Sequence, residues 1–363
     1  MSQRRLRPVA PRSRRLALIT GGAGCIGTSV ATRLIESGYR VRIFDNLSQA
    51  GADTNLRWLC ATYGNAVDTV IADVRDRPAL KTALEGVSHV YHLAAQVAVA
   101  SSVDDPMCDF SVNAGGTLNL LEELRALAAP PSLLFTSTKR VYGALHDVDL
   151  VLEGNRYMPV SPRTHDYGIS ERRRISFQSP YGCSKGAADQ YVLDYARTFG
   201  LPAVVFRMSC IYGSRHFETD NQGWVARFIA RALEKQPITI YGNGFQVRDV
   251  LFIDDLIDAM IIAHDRIHHI AGEAFNIGGG PERSMSLLEL VNLIEKLERR
   301  RAHVQFETWR EGDQRYYVSD TRKFHSATGW TPRTSVADGV SALHDSRQST
   351  STVTVAAPVR VAL

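Results

Sequence analysis

In the segment SPYGCSKGAADQYVLDYARTFG a tyrosine and a lysine, Tyr181 and Lys185, stand four residues apart. On a helix that spacing places both side chains on one face about one turn apart. A phenol with its ordinary pKa near 10 is a poor base at neutral pH unless its anion is stabilised. A neighbouring ammonium and the positive end of a helix both act in that direction. The pair is therefore suited to taking a proton from a hydroxyl and returning it. Upstream, SLLFTSTKRVYG ends an apolar run in three successive hydroxyls, Thr136, Ser137 and Thr138. Thr138 is the one assigned to bridge a substrate hydroxyl and the Tyr181 oxygen, aligning the proton's path.

A second constellation lies near the N-terminus. TGGAGCIG sets Gly21, Gly24 and Gly27 at three-residue spacing between the apolar run LALIT and the helical run IGTSVATRLIESG. Residues without a Cβ let the backbone turn tightly and approach a pyrophosphate, and the helix that Cys25, Ile26 and Gly27 open favours negative charge at its start. Beyond it, RVRIFD ends in Asp45, followed by Asn46. An acid there can hydrogen-bond both adenosine ribose hydroxyls and would repel a 2′-phosphate, which points to NAD rather than NADP. Asp73 and Val74 in IADV, and Ala94 and Ala95 in HLAAQ, end further apolar runs where a flat ring or phosphate can lie close to the backbone. The adjoining Gln96 is assigned to the substrate. Asn113, in SVNAGGTLNLLEELRAL, stands at the start of a long helical run, either as a cap or as a group that orders the site. A lone YxxxK is common by chance; behind a glycine turn, Asp45 and a hydroxyl-rich strand end, it becomes specific.

Apolar strand-length runs at 16–20, 40–45, 87–95, 132–137 and 202–207 alternate with helical stretches at 26–37, 109–128 and 181–199. That alternation predicts an α/β fold, a Rossmann-like doubly wound parallel sheet whose ligands meet the carboxyl ends of the strands. Ser179 as N-cap, Pro180 at the first position and Gly200 as the stop delimit the helix of Tyr181 and Lys185. After 207 the alternation loosens into helices near 223–235, 254–266 and 286–299 and a short strand at ITIYG. The expected organisation is a basic disordered tail at 1–15, an NAD-binding domain at 16–207, a smaller C-terminal substrate-binding lobe at 208–345 whose elements interleave with the first domain, and a flexible tail at 346–363.

The 363 residues, 44% hydrophobic, are enough for one large core and an appended lobe. The overall charge of +4 is misleading, because Arg4, Arg5, Arg7, Arg12, Arg14 and Arg15 supply +6 within the first fifteen residues and leave −2 for the rest. A basic, Pro-containing end of this kind is usually solvated rather than bound to nucleic acid or a membrane, and neither partner is expected. No run approaches the roughly 20 apolar residues of a membrane span. Five scattered cysteines without CxxC pairs, and scattered histidines, indicate neither a disulfide framework nor a metal site. A cytoplasmic enzyme is expected.

Together TGGAGCIG, FDN, NAGGTLNLLE, TSTKRVYG and SPYGCSKG resemble the extended short-chain dehydrogenases/reductases, the NAD-dependent epimerase/dehydratase family, over about residues 16–342. Within it, NLSQAGADTNLRWL, DNQGWV, GNGFQVRDVL and EGDQRYYVSD are most similar to the 2-epimerases of CDP-linked deoxyhexoses. The resemblance implies Tyr181 as acid and base, Lys185 as its activator and ribose ligand, Thr138 as the orienting hydroxyl and a tightly held NAD. It places Gln246 and Arg248 near the nucleotide and Arg310 and Arg315 at the diphosphate of a nucleotide-sugar substrate, and it implies a homodimer through the helices at 109–128 and 181–199. Two departures stand out. Lys139 and Arg140 follow Thr138 where dehydratases of the family carry Asp and Glu, which disfavours dehydration, and Ile169, Ser170 and Glu171 replace a frequent Tyr-Asp-Glu. Epimerisation at carbon 2 through a transient ketone is the expected reaction. A 4-epimerase, a net dehydrogenase and a non-catalytic nucleotide sensor stay open at this point.

Overall fold

A computed structural model of the chain describes residues 15–97, 99–213, 223–310 and 312–354. Seven strands form its main sheet: β1 (Leu16–Thr20), β2 (Arg40–Asp45), β3 (Val67–Ile71), β4 (Val87–His92), β5 (Ser132–Thr138), β6 (Ala203–Met208) and β7 (Ala274–Ile277). All pairs are parallel, in the order β7-β6-β5-β4-β1-β2-β3. A parallel sheet is covered on both faces, so its central strands are apolar throughout. In β5 every residue is buried. One face packs Val30 and Leu34 of the helix Cys25–Glu36 and Leu256 and Met260 of the helix Ile253–Asp265. The other packs Leu120 and Leu124 of Gly116–Arg125 and Ala188 and Val192 of Ser179–Phe199. Each of these Val, Leu and Met side chains contributes about 1.5–3 kcal/mol by leaving water. The order reverses between β1 and β4, and the crevice that opens there at the strand ends is where doubly wound folds bind ligands.

The second lobe has its own core around Phe228, Ile240, Val250 and Leu290. Ile238–Tyr241 pairs in parallel with Val304–Glu307, while Val247–Phe252 is flanked by Ser284–Ser286, Tyr316–Tyr317 and Cys210–Tyr212. Its helix Leu287–Glu298 starts in a capping box, Ser286 accepting from the Glu289 N–H and Glu289 accepting from the Ser286 N–H. The lobe is not contiguous in sequence, since β7 returns to complete the main sheet.

Two expectations about the ends change. Arg15 belongs to the fold, donating to the Tyr39 hydroxyl at 3.4 Å, whereas 1–14 lie outside the described residues. The flexible tail placed at 346–363 is wrong for its first part, because the helix Val336–Thr354 carries straight through it. That helix begins with the Ser335 hydroxyl capping the Asp338 N–H at 3.1 Å, buries Val340 and Leu343, and bonds His344 to Glu298 at 2.6 Å. Once anchored this way, a Ser/Thr-rich stretch of weak intrinsic propensity continues as helix. Residues 355–363, and Asp220, Asn221 and Gln222 of the DNQGWV segment, lie outside the described residues.

Candidate active site

The glycine turn is built as its spacing requires. Gly21 has φ +68, and a Cβ there would stand 2.7 Å from the Ala94 nitrogen; on Gly27 it would stand 2.5 Å from the Gly21 oxygen. Gly24 caps the helix Cys25–Glu36 in extended conformation, and the first turn, from Cys25 to Gly27, lines the crevice. Asp45 ties the turn to β2, accepting from the Ala23 N–H at 3.0 Å and the Leu47 N–H at 2.8 Å, and burial raises its pKa. Asn46 donates to Asp73 at 2.9 Å. Arg75 grips Asp73 with two 2.9 Å bonds, and these bonds bring the carboxyl down to about 2.

These residues line one cleft of about 530 Å³, together with Cys25, Ile26, Val74, Ala94, Ala95, Gln96, Thr136, Ser137, Tyr181 and Lys185. Asn113 and Thr138 stand in its walls rather than on its surface. Asn113 does not cap a helix. It sits in a wide π-turn, Ser111–Gly115, between the helices Pro106–Phe110 and Gly116–Arg125. Its buried side chain accepts from the Gln96 N–H at 2.9 Å and donates to the Gln96 carbonyl and the Ser184 hydroxyl, each at 3.0 Å. It therefore fixes both the loop after β4 and the helix of Tyr181.

That helix spans Ser179–Phe199 and ends at Gly200 in left-handed conformation. Gln178, not the expected Ser179, stands at the N-cap and makes no side-chain capping bond; Ser179 opens the helix in left-handed conformation, with φ +64, and its hydroxyl accepts the Gly182 N–H at 3.3 Å. Tyr181 and Lys185 both face the cleft. Their electrostatics differ from the expectation of a phenol acidified by its lysine. Burial, the largest influence, raises the Tyr181 pKa; a hydrogen bond with Thr138 and the charge of Arg140 oppose it, and Asp109 adds to it. Burial also brings Lys185 down to about 7, against the pull of Asp189 and Asp109, with its Nζ 4.3 Å from the centre of the Phe135 ring.

The four residues assigned to the nucleotide and diphosphate do not line this cleft. Gln246 is buried and donates to the Tyr241 carbonyl at 2.6 Å, while Arg248 holds Asp313 at 2.8 Å. Arg310 lies over the Tyr241 ring at 3.8 Å, and Arg315 over Trp309 at 5.8 Å. The sequence reading missed several residues behind the site. Asp109 accepts from Ser184 and Asn113 below the helix of Tyr181, and Asn55 donates to the Ala23 carbonyl at 3.0 Å behind the glycine turn. Ser184, one residue before Lys185, was the only local hint of the first contact. Among the described residues no three His, Cys, Asp or Glu side chains gather as a metal site, and no helix is long and apolar enough to cross a membrane.

A glycine cradle that a Cβ would fill, a helix start aimed into a crevice and an acid at the end of β2 fit a dinucleotide. Fold and cleft thus define a dinucleotide-dependent enzyme of the doubly wound class, with a Thr-Tyr-Lys set beside the cofactor site. The chain belongs to the NAD dependent epimerase/dehydratase family, whose sequence model matches residues 17–278. It is 43% identical to CDP-paratose 2-epimerase of Salmonella typhi over 90% of this chain and 98% of that one. Among solved structures, it resembles UDP-glucose 4-epimerase of Thermotoga maritima bound to UDP-glucose (TM-score 0.79, 29% identity, 92% and 99% of the two chains covered). It is also similar to UDP-glucuronic acid 4-epimerase of Bacillus cereus in complex with UDP-glucuronic acid and NAD (TM-score 0.79, 27% identity, 92% and 99% covered). The chain is an NAD-dependent nucleotide-sugar epimerase by these relationships.

Proposed function

We propose that the enzyme inverts carbon 2 of a CDP-linked 3,6-dideoxyhexose of the paratose/tyvelose type. The observation that carries this reading is the 43% identity to a CDP-paratose 2-epimerase across nearly the whole of both chains. The surroundings of Thr138 support it: the next two side chains are the cations Lys139 and Arg140, which cannot act as the carboxylates of a dehydration. NAD, which the glycine turn, Asp45 and Lys185 would hold, would supply when bound a reversible acceptor for the hydride that leaves the sugar carbon and is given back to the opposite face of the ketone. Tyr181, as phenolate, takes the proton of the sugar hydroxyl while Thr138 holds that hydroxyl in line. The resulting ketone turns within the site, and Tyr181 returns the proton to the oxygen on the inverted carbon. Gln246, Arg248, Arg310 and Arg315 are the groups assigned to the nucleotide diphosphate, for which guanidinium forks are suited.

The same reading includes a homodimer and a cytoplasmic location. Support for the dimer is the apolar surface beside the helix of Tyr181, where Val103, Met107, Phe110 and Tyr191 are 62, 76, 56 and 45% exposed. Five free thiols suit a reducing compartment.

The test is a screen of purified enzyme, without added NAD, against CDP-paratose, CDP-tyvelose and UDP-, GDP- and dTDP-hexoses, with products resolved by NMR in deuterated water. Interconversion of the two CDP-sugars without deuterium at carbon 2 is expected. Turnover confined to carbon 4 of a UDP-hexose would replace this reading with the 4-epimerase.

A further inference from the structure

Lys139 opens the turn Lys139–Tyr142 directly after Thr138 and is buried, with 8% of its surface exposed. An ammonium offers three donors. Here Nζ donates to the Cys210 Sγ at 3.4 Å and lies 5.2 Å from the centre of the Tyr317 ring; among the described residues it has no other hydrogen bond and no ion pair. A buried lysine whose one polar partner is a thiol is poorly held in its charged form. Burial, helped by Arg248 and Arg140 and opposed by Cys210 and Asp249, brings it down to about 8. Near neutral pH a fraction of it is therefore the free amine, a nucleophile.

Cys210 is placed independently of this contact. It opens the strand Cys210–Tyr212, where pairing with Val250 fixes its backbone. Thr138 and Met208 are partners in the register of β5 and β6, so the lysine and the cysteine leave neighbouring strand ends and meet just beyond them. The Cys210 thiol is free and half-buried, and Met208 and Ile211, close to it in sequence, line the cofactor cleft, which leaves it within reach of a small oxidant.

We propose that Lys139 and Cys210 form an oxidative modification site, at which hydrogen peroxide causes the amine to be joined to the sulfur. The thiol takes one oxygen from peroxide, becoming a sulfenic acid and releasing water. The Lys139 amine then attacks that sulfur: the S–O bond breaks, an S–N bond forms, and the hydroxide leaves with a proton from nitrogen as a second water. Thiol, amine and one peroxide thus become a sulfenamide and two waters, the sulfur giving up the two electrons that the peroxide gains. Only Nζ has to advance from 3.4 Å to bonding distance, and a flexible four-carbon stem without a second polar anchor allows it. Two thiols of a reductant reverse the bond, returning the amine and the thiol as they form their own disulfide. Because Lys139 adjoins Thr138, the bond displaces the hydroxyl assigned to the sugar and turnover falls; that consequence alone rests on the proposed function.

The test treats the purified full-length enzyme, without sugar, with hydrogen peroxide, blocks the remaining thiols and maps its tryptic peptides by mass spectrometry with and without dithiothreitol. The Lys139 and Cys210 peptides should be recovered joined, two hydrogens lighter than their sum, with no cleavage after Lys139. Dithiothreitol should separate them and restore turnover in the same proportion. Lys139→Arg keeps the charge and removes the nucleophile, so its Cys210 should pass on to the sulfinic acid, which dithiothreitol does not reduce. Separate peptides from the oxidised wild type, or a Lys139→Arg enzyme whose Cys210 thiol is recovered as fully as in wild type, overturn the proposal. Should the variant not fold, the wild-type map decides by itself. It reads independently of which sugar carbon is inverted.

Discussion

In the proposed mechanism Tyr181 is the base, in a place where burial alone makes it a worse one. Such a site works only if the groups that favour the phenolate act together with the bound cofactor and substrate. Replacing Tyr181 by Phe removes the proton path and leaves the glycine cradle and Asp45 untouched. Turnover should fall by at least about 10²–10⁴-fold, the range of a lost general acid–base group, while NAD binding stays at the wild-type level. Rates and bound-nucleotide absorbance on the same preparation check both halves, and an active Tyr181→Phe enzyme would remove the catalytic assignment. Tyr181 and Lys185 could be read from sequence because one helical turn joins them. The contact of Arg140 with Asp313 could not be, because the two are 173 positions apart and meet only when the second lobe folds back on the turn after β5.

At the scale of elements, the π-turn at Ser111–Gly115 has the clearest consequence. A single wide turn inside an otherwise regular helix re-aims side chains and occurs often at functional sites. Here it directs Asn113 inward to Gln96, Ser184 and Asp109, and the Thr117 hydroxyl donates to the Asn113 carbonyl at 2.6 Å. Asn113→Ala strands the Gln96 N–H and carbonyl, a loss of about 1–3 kcal/mol for buried polar groups left unpaired. The melting temperature should drop by several degrees, and NAD should bind more weakly, because the loop after β4 lines its cleft. Calorimetry with and without NAD measures both, and an unchanged melt would show that Asn113 is not structural. Periodicity reveals the helices on either side but not the turn, which changes the hydrogen-bond register without changing the apolar pattern. The strand β7 escaped for another reason: AFNI is too short to show a period, and its place is fixed by pairing with β6. By contrast, LALIT and RVRIFD were legible to the residue, since long apolar runs before Gly or Asp have few alternatives.

For the whole molecule, folding buries several basic groups, and this sets its response to pH. His92 lies fully buried between the hydroxyls of Thr20 and Thr117, at 2.7 and 3.0 Å, and burial, with the Lys185 charge, holds it down to about 3. His264, bonded to the Ser132 hydroxyl at 2.7 Å and stacked on His89 at 5.0 Å, is held well below the usual range by burial and then by His89. In the unfolded chain both titrate near pH 6.5. Below that value the unfolded state binds more protons than the native one, so stability is intact above about pH 6.5 and falls as the pH drops, by up to about 1.4 kcal/mol per unit for each histidine. The carboxylates act elsewhere or oppositely. Asp73 and Glu122, held near 2, lose their contribution only as the pH falls from about 4, while Asp45 and Asp109, raised by burial, favour the native state as they protonate. Lys185 and Lys139, at about 7 and about 8 against about 10.4 unfolded, add stability as the pH rises through that interval. The stability maximum should therefore lie on the alkaline side of neutral. The decisive comparison is His264→Phe against wild type in denaturation curves from pH 5 to 8. Loss of the Ser132–His264 hydrogen bond lowers the variant by a constant amount, but its decline between pH 6.5 and 5 should be shallower by about 1.6 kcal/mol. Parallel curves would mean that His264 takes up its proton equally in both states, and a buried neutral imidazole would then be the wrong description of that site.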